Sequence, residues 1–382
     1  MIEIKGAYTS AQIFTTNNEN YAIDDYAIAQ LKMLCDNKTL TGSRLCVMPD
    51  VHPGKVGVIG LTMTVGGMLM PNLTGIDIGC GMSLAKIKGK VKEFQRLDTV
   101  IREHVPAGFN TRTKAHRLAE TFDLNRLRCA DHIIKDRCLL SAGTLGSGNH
   151  FIELDQDDEK NSYLVIHSGS RRLGKEVTEY YLNIGQKHLK ENGVEVPYEL
   201  TYLEGKQLDD YLHDVDIVKE YAALNREIMI SEICKEMKFK ILERYDSVHN
   251  YIDNSEDTLA LFGSPILRKG AISAKKDEQV IIPINMRDGI ILGKGLGNEA
   301  WNCSAPHGSG RIMKREDVRR NFTLSHFKSS MKGIYSPSIC SETLDEAPFA
   351  YRSIEDIMDV IGETVRIENV IRPIYNFKGG EA

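Results

Sequence analysis

The chain has 382 residues, 42% hydrophobic and 26% charged, with a formal net charge of −5 and a pI near 6.2. Those values fit a soluble globular protein with a substantial core, and they exclude a globally basic nucleic-acid binder while leaving room for a local basic groove. The eight cysteines (Cys35, Cys46, Cys80, Cys129, Cys138, Cys234, Cys303 and Cys340) form no Cys-x-x-Cys pair, which argues against a zinc ribbon or disulfide scaffold and for a reducing cytoplasm.

The first ten residues lack a basic n-region and an apolar run, so no signal peptide is read there. Residues 24–35 predict a helix with Ile28, Leu31 and Leu34 on one stripe. A short strand at 45–48 runs into Pro49-Asp50-Val51-His52-Pro53-Gly54-Lys55. The uncharged stretch 56–76 is broken by Gly57, Gly60, Gly66, Gly67, Pro71 and Gly75; two buried strands, 56–60 and 61–65, suit it better than a membrane helix.

The next turn, Gly75-Ile76-Asp77-Ile78-Gly79-Cys80-Gly81-Met82, organises the chain. Its glycines permit a fold tight enough to aim the Asp77 carboxylate and the Cys80 sulfur at one point, a start for a metal site; the plainer alternative is a buried turn with an inert thiol. A strand follows at 82–87, then helices at 91–105 and 114–135. Ser141–His150 is a second Gly-rich loop, before a strand at 151–153. The strand 163–166 ends at His167-Ser168-Gly169-Ser170-Arg171-Arg172. Residues 173–240 read as mostly helical with an acidic break at 209–216, and Val248-His249-Asn250-Tyr251 follows. The remainder is strand-like and Gly-rich, with helices at 315–320 and 354–361 before a last strand at 364–377. With no repeat or linker, the expected architecture is one large α/β (α+β mixed) domain over 1–382.

Four of the eleven histidines, His150, His167, His249 and His307, fall in loops beside predicted strands, where scaffolded sites are built. Each alone reads more often as a hydrogen-bonded loop histidine than as a ligand. With Asp77 and Cys80 they supply donors enough for two divalent metals. No Gly-x-x-x-x-Gly-Lys-Ser/Thr and no Lys-x-Asp-Gly occurs, which excludes a P-loop NTPase and disfavours a lysine-adenylate ligase. Gly143–Gly148, Gly293–Gly297 and Gly308–Gly310 remain as candidate phosphate cradles.

The ordered set Pro-Asp-Val-His-x-Gly-Lys, Gly-Ile-Asp-Ile-Gly-Cys-Gly-Met, Gly-Thr-Leu-Gly-Ser-Gly-Asn-His-Phe-Ile-Glu, His-Ser-Gly-Ser-Arg, His-Asn-Tyr, Arg-Lys-Gly-Ala, Gly-Leu-Gly-Asn-Glu and His-Gly-Ser-Gly-Arg resembles the RtcB family of RNA-splicing ligases over about residues 48–378. The resemblance implies a single domain around a dinuclear manganese site. It also implies an enzyme that uses GTP to join RNA 3′-phosphate or 2′,3′-cyclic phosphate ends to 5′-hydroxyl ends, in RNA repair or tRNA splicing. By motif, Asp77, Cys80, His150, His167 and His249 are the metal ligands, with Cys80 also catalytic. His307 takes GMP; Asn149, Glu153, Gly308, Gly310, Tyr351 and Lys378 contact the nucleotide, Glu153 at the guanine edge, and Arg171 meets the RNA-end phosphate. RNA and GTP are the implied partners, with an accessory activating protein as a further candidate and no membrane.

Basic residues near the motifs, Arg171, Arg172, Lys175, Arg268, Lys269, Lys275, Lys276, Arg311, Lys314 and Arg315, are the candidate RNA groove. Two departures from the family pattern stand out: bulky Asn285-Met286-Arg287-Asp288 replaces a small Gly-Ser-Met-Gly turn, and residues 105–140 are compact. The rival classes are a dinuclear metal phosphoesterase that hydrolyses RNA ends without joining them, and a non-catalytic RNA-end binder.

Overall fold

The computed structural model describes residues 1–15 and 22–379. Its organising strand is Ser162–Ser168, whose residues are all buried; a strand covered on both faces reads as an unbroken apolar run. It is third in a seven-stranded sheet ordered Ile241–Val248, Gly81–Ile87, Ser162–Ser168, Phe151–Gln156, Val365–Lys378, Gly289–Gly295 and Gln279–Asn285. Every pairing in it is antiparallel.

A second sheet has six strands, ordered Ile2–Lys5, Ser10–Ile13, Leu45–Pro53, Val58–Thr64, Ile266–Lys269 and Asn250–Asp253, parallel only between the second and third. The chain passes from the first sheet to the second across one residue, His249. Helices Arg171–Glu191 and Gly205–Met237 pack on each other, and the latter also covers strands Gly81–Ile87 and Ser162–Ser168. The largest apolar cluster draws on Ala11, Leu61, Leu173, Val218 and Leu267, so the second sheet and the two long helices share one interior, while the seven-stranded sheet packs in a further cluster with Leu97, Ile152, Leu164 and Met229. The expected mixed α/β fold is the one that forms.

Most predicted elements appear with extended ends, and four differ in kind. Residues 56–65 give one strand, Val58–Thr64, because Gly60 (φ +92°) sits opposite an irregularity in the pairing between Val47 and His52 and does not end the ladder. The acidic break at 209–216 does not exist: Gly205–Met237 runs through as 33 helical residues. Lys206 pairs with Asp210 at 2.8 Å and Lys219 with Asp216 at 2.8 Å, and such neighbours support a helix. The chain turns instead between Glu191 and Gly205. A helix at Leu324–Ser330 was not expected.

The helix expected at 114–135 is instead a series of short turns, Arg117–Glu120, Leu124–Arg126 and Ala130–His132, before a helix at Lys135–Ser141. The Asp214 carboxylate, fully buried, accepts from the backbone N–H of Arg128 (2.7 Å) and Cys129 (3.1 Å) and from the Tyr181 hydroxyl (2.8 Å). A tertiary acceptor thus takes donors that a helix would have used internally.

Asp214→Ala would leave two buried donors, the Cys129 N–H and the Tyr181 hydroxyl, and the part-buried Arg128 N–H without an acceptor. It should cost about 3 kcal/mol of stability, since each orphaned group costs roughly 1–3 kcal/mol and the neighbours relax in part. Thermal unfolding reads the loss, and faster amide hydrogen exchange confined to 117–135 reads its location.

Candidate metal centre and adjoining cleft

Antiparallel pairing brings alternate strand beginnings and ends to the same edge of a sheet. In the seven-stranded sheet Val248 pairs with Gly81, Gly81 with Ser168, and His167 with both Met82 and Phe151. His249, Cys80, His167 and His150 therefore stand within three successive residue positions at one edge of four neighbouring strands, the metal row. Adjacent strands lie about 4.8 Å apart, and the ring centroids of His150 and His167, on neighbouring strands, are separated by 5.1 Å; those of His167 and His249, two strands apart, also converge to 5.1 Å.

The turn before Cys80 needs its glycines for close approach. A Cβ on Gly79 (φ +76°) would lie 2.7 Å from Ala222 Cβ, and one on Gly81 2.2 Å from the Ser247 carbonyl oxygen. Arg226, fully buried on the long helix, donates to the carbonyls of Gly79 (2.9 Å) and Ser168 (3.0 Å), tying the turn to the end of the central strand. Asp77 is held by the Ser170 backbone N–H at 3.1 Å.

Cys80 Sγ lies 3.4 Å from Nε2 of both His150 and His167. His167 Nε2 is 3.3 Å from His249 Nε2, and His150 Nε2 is 3.1 Å from the Asp77 carboxylate. The Nδ1 atoms of His150 and His167 donate to the carbonyls of Leu145 (2.9 Å) and Asn149 (3.1 Å), which leaves the Nε2 lone pair of His167 aimed into the cluster, while His150 Nε2 donates to the Asp77 carboxylate in the absence of a cation. Burial, reinforced by neighbouring imidazoles, pushes His167 and His249 well below the usual histidine range, so both are neutral donors at neutral pH. Burial raises the Asp77 carboxyl, but its hydrogen bond to His150 and that ring's charge more than offset this and bring it down to about 2. Burial and Asp77 together push the Cys80 thiol well up.

The donor set fits a divalent ion. Cys80, His150 and His167 offer ligand atoms within 4.8 Å of one another, with Asp77 and His249 adjoining, and the buried His249 Nδ1 has no hydrogen-bond partner. Three such donors packed this tightly make only weak thiol–imidazole contacts with each other, and a cation between them would engage all three.

His307 comes from a separate two-stranded sheet. It follows strand Ser304–Pro306, which pairs with Ala271–Ser273, and its ring stands 5.0 Å from that of His249. Its Nδ1 donates to the Asp50 carboxylate at 2.6 Å. Asp50 is fully buried and also accepts from the Gly308 N–H at 3.2 Å. Gly310 (φ +73°) lies so close to strand Leu45–Pro53 that a Cβ would come within 2.7 Å of the Asp50 carbonyl oxygen. Asp50 lay within a quoted motif but was given no role: a carboxylate's partner in space leaves no signal along the chain.

His307 opens into a cleft of about 880 Å³ whose lining includes Asn149, Glu153, His167, Gly308, Gly310, Tyr351 and Lys378, so all the expected nucleotide contacts border one space. Glu153 is buried and accepts from the Asn376 amide; burial pushes its carboxyl upward. Lys378 donates to Glu346 at 2.9 Å, Tyr351 donates to Glu346 at 2.6 Å, and Arg311 donates to the Tyr351 hydroxyl at 3.0 Å. Burial raises Glu346, yet the Lys378 and Arg315 charges and these hydrogen bonds bring it down to about 2. Glu346 was also missed, lying in an unremarkable Leu-Asp-Glu-Ala stretch.

Two of the three glycine cradles are structural. The amides of Gly143 and Thr144 donate to Asn225 Oδ1 at 2.7 and 3.0 Å, and Gly293 and Gly295 pack against Arg366 and Ala274; only Gly308–Gly310 borders the cleft. The basic set divides too. Arg268 is fully buried and bonded to Asp253 at 2.9 Å and Tyr251 at 3.0 Å, and Lys269 is buried against the Asn72 carbonyl, so neither faces an RNA groove. Arg171, Arg172 and Lys175 border a second cleft that includes Asp77. In the departing turn, Asn285 Oδ1 accepts from the amides of Arg287 and Asp288, those two side chains pair with each other, and Met286 packs with Phe327 and Met331. Asn285 and Met286 border the first cleft; Arg287 and Asp288 do not.

The family described as tRNA-splicing ligase RtcB matches residues 33–132 and 121–379. The RNA-splicing ligase RtcB of Escherichia coli K12 is 30% identical over 371 residues, covering 88% of this chain and 90% of that protein. The tRNA-splicing ligase RtcB of Nanoarchaeum equitans is 26% identical over 424 residues, covering 88% of each. Among the described residues no helix is long and apolar enough to cross a membrane.

Metal uptake should fall at least about ten-fold in Cys80→Ser and in His150→Ala, with circular dichroism unchanged, because loss of one ligand or its support typically costs 10–100-fold. Equilibrium dialysis with Mn²⁺ or Zn²⁺ measures it. Since the Cys80 thiol is held protonated without metal, uptake should release a proton and weaken as pH falls; calorimetry in buffers of different ionisation enthalpy counts that proton.

Proposed function

The chain belongs to the RtcB family, and from that premise we propose that it is a cytoplasmic RNA ligase. In this reading it uses GTP and two manganese ions to join a 3′-phosphate or 2′,3′-cyclic phosphate end to a 5′-hydroxyl end through a nucleotidylated His307. One observation carries the reading: His307, fixed by a 2.6 Å hydrogen bond to buried Asp50, stands one ring away from the candidate metal row and at the mouth of the cleft.

A carboxylate only accepts, so the Asp50 contact keeps the proton on Nδ1 and leaves the Nε2 lone pair as nucleophile. Nε2 attacks the α-phosphorus of GTP; a P–N bond forms, the bond to the bridging oxygen breaks, and pyrophosphate leaves. The imidazole then carries positive charge, which the Asp50 carboxylate offsets. An oxygen of the RNA 3′-phosphate displaces the histidine, and the 5′-hydroxyl displaces GMP to form the phosphodiester. Asp77, Cys80, His150, His167 and His249 would hold the manganese, which would supply charge neutralisation at the phosphate oxygens. Glu153 in its ionised form, favoured over the burial-raised acid once guanine brings its donors, accepts N1–H and N2–H₂, a pattern adenine lacks, and Arg311, Arg315 and Lys378 face phosphate oxygens or the base from the cleft wall.

His307→Ala should abolish covalent label from GTP and the joining of a 3′-phosphate RNA, yet still seal an RNA supplied with its 3′-phosphate already capped by GMP. Failure on the capped RNA as well would mean that the histidine only supports the turn, and label retained by the variant would assign the nucleophile elsewhere. Asp50→Asn, which replaces an acceptor with a group able to donate, should slow label formation by roughly 10²-fold or more while leaving capped-end sealing largely intact.

Glu153→Ala should narrow the GTP-over-ATP preference more than it slows turnover with GTP. Hydrogen bonds to a charged partner are worth about 1.5–3 kcal/mol, a ten- to hundred-fold change in the ratio of kcat/KM values. An unchanged ratio would remove Glu153 from the base edge.

A further inference from the structure

The second cleft, about 1500 Å³ in extent, runs from Asp77 at the metal row to a loop around Phe109. Phe109 is 80% exposed, more than any other large apolar side chain among the described residues. An isolated exposed apolar residue is ordinary; three features set this one apart.

The loop presenting it is fastened on both sides. Gly108 N–H donates to the Gly146 carbonyl at 2.9 Å, Leu145 N–H to the Pro106 carbonyl at 2.9 Å, and Arg112 N–H to the Leu140 carbonyl at 3.0 Å. Arg171, whose guanidinium borders the cleft, donates to the Gly108 carbonyl at 3.2 Å and to Thr144 Oγ1 at 3.2 Å. The ring is therefore displayed on a fixed backbone, next to an arginine with donors to spare.

The cleft between ring and metal row is also cationic, with Arg137, Arg171, Arg172 and Lys175 on its walls. Arg172 and Lys175 pair with Glu176 and Glu179 along their own helix. Arg137 and Arg171 form no ion pair with a carboxylate among the described residues. Finally, the far end of the cleft is the Asp77 carboxylate, so a strand laid along it would bring its terminus to the reacting centre.

We infer that Phe109 is a stacking platform for a nucleobase of a single-stranded RNA end, whose phosphates lie along Arg137 and Arg171 and whose terminus reaches Asp77. An aromatic face beside a cationic track is how single strands are held without reading sequence. The inference rests on the RNA-joining reading and adds to it a positioning residue and the path of the strand. The same chemistry serves the strand ending in phosphate and the strand beginning with a 5′-hydroxyl.

The test compares wild type with Phe109→Ala, Phe109→Leu and Phe109→Tyr. Alanine and leucine should raise the KM for RNA roughly ten-fold, as loss of one base–aromatic stack does, with tyrosine near wild type. Covalent labelling by GTP in the absence of RNA should be equal in all four and reports that the fold is intact. In parallel, 2-aminopurine is placed in turn at each of the last nucleotides of either strand and its fluorescence is read on binding. Quenching at one position by wild type, lost in Phe109→Ala, identifies the stacked base and which strand carries it. Sealing with an unchanged KM in Phe109→Ala would overturn the inference, as would leucine matching phenylalanine; the ring would then be a contact for a protein partner. If wild type quenches 2-aminopurine through Phe109 yet seals nothing, the joining reading fails and the platform stands.

Discussion

The antiparallel register of four strands is the constraint on which the rest of this protein depends. Because Gly81 is paired with both Val248 and Ser168, and Phe151 with His167, the residues just outside or at those strand ends gather within three successive positions at one edge of the sheet. A slip of one residue in any of these ladders would turn a ligand away from the row and bury its neighbour in its place. Arg226 ties the Gly79 and Ser168 carbonyls and Ser83 Oγ from the covering helix, so the row is locked from outside the sheet as well. A donor set built at strand ends is held more tightly than one carried on free loops.

A second constraint joins the two sheets. His249 is the single residue between strands Ile241–Val248 and Asn250–Asp253, one in each sheet, and its carbonyl accepts from Gly270 at 2.7 Å. A Cβ on Gly270 (φ +63°) would lie 2.2 Å from Ile59 Cγ2 and 3.2 Å from the His307 ring. The absence of a side chain there lets the ring of His307 stand 5.0 Å from that of His249. The metal row and the Asp50–His307 pair are thus separate constructions brought into contact by one crossover and one glycine.

Electrostatics divides the two clefts. In the first, Glu346 pairs with both Lys378 and Arg315 and accepts from Tyr351, a network whose buried members are all paired, as burial requires. In the second, Arg171 keeps donors free beside a solvent-facing ring. One cleft is arranged to hold a compact ligand in fixed orientation; the other is open and cationic, the form suited to a chain of phosphates.

The sequence by itself determined the fold class and most of the strands, because short Gly-rich motifs must close tightly and because buried strands must be apolar. It also pointed to Asp77, Cys80, His150, His167, His249 and His307 as a group. What it did not contain was anything whose cause lies across the fold. The 114–135 segment has helical periodicity, but Asp214, some 85 residues away, captures its amides. Arg268 has the composition of a groove residue and the burial of a core residue, because Asp253 and Tyr251 happen to face it. Asp50 and Glu346 acquire their importance only from the His307 and Lys378 that tertiary structure delivers to them. Local chemistry is written along the chain; the pairing of charges and donors separated by hundreds of residues is decided only when strands align and water is excluded between them.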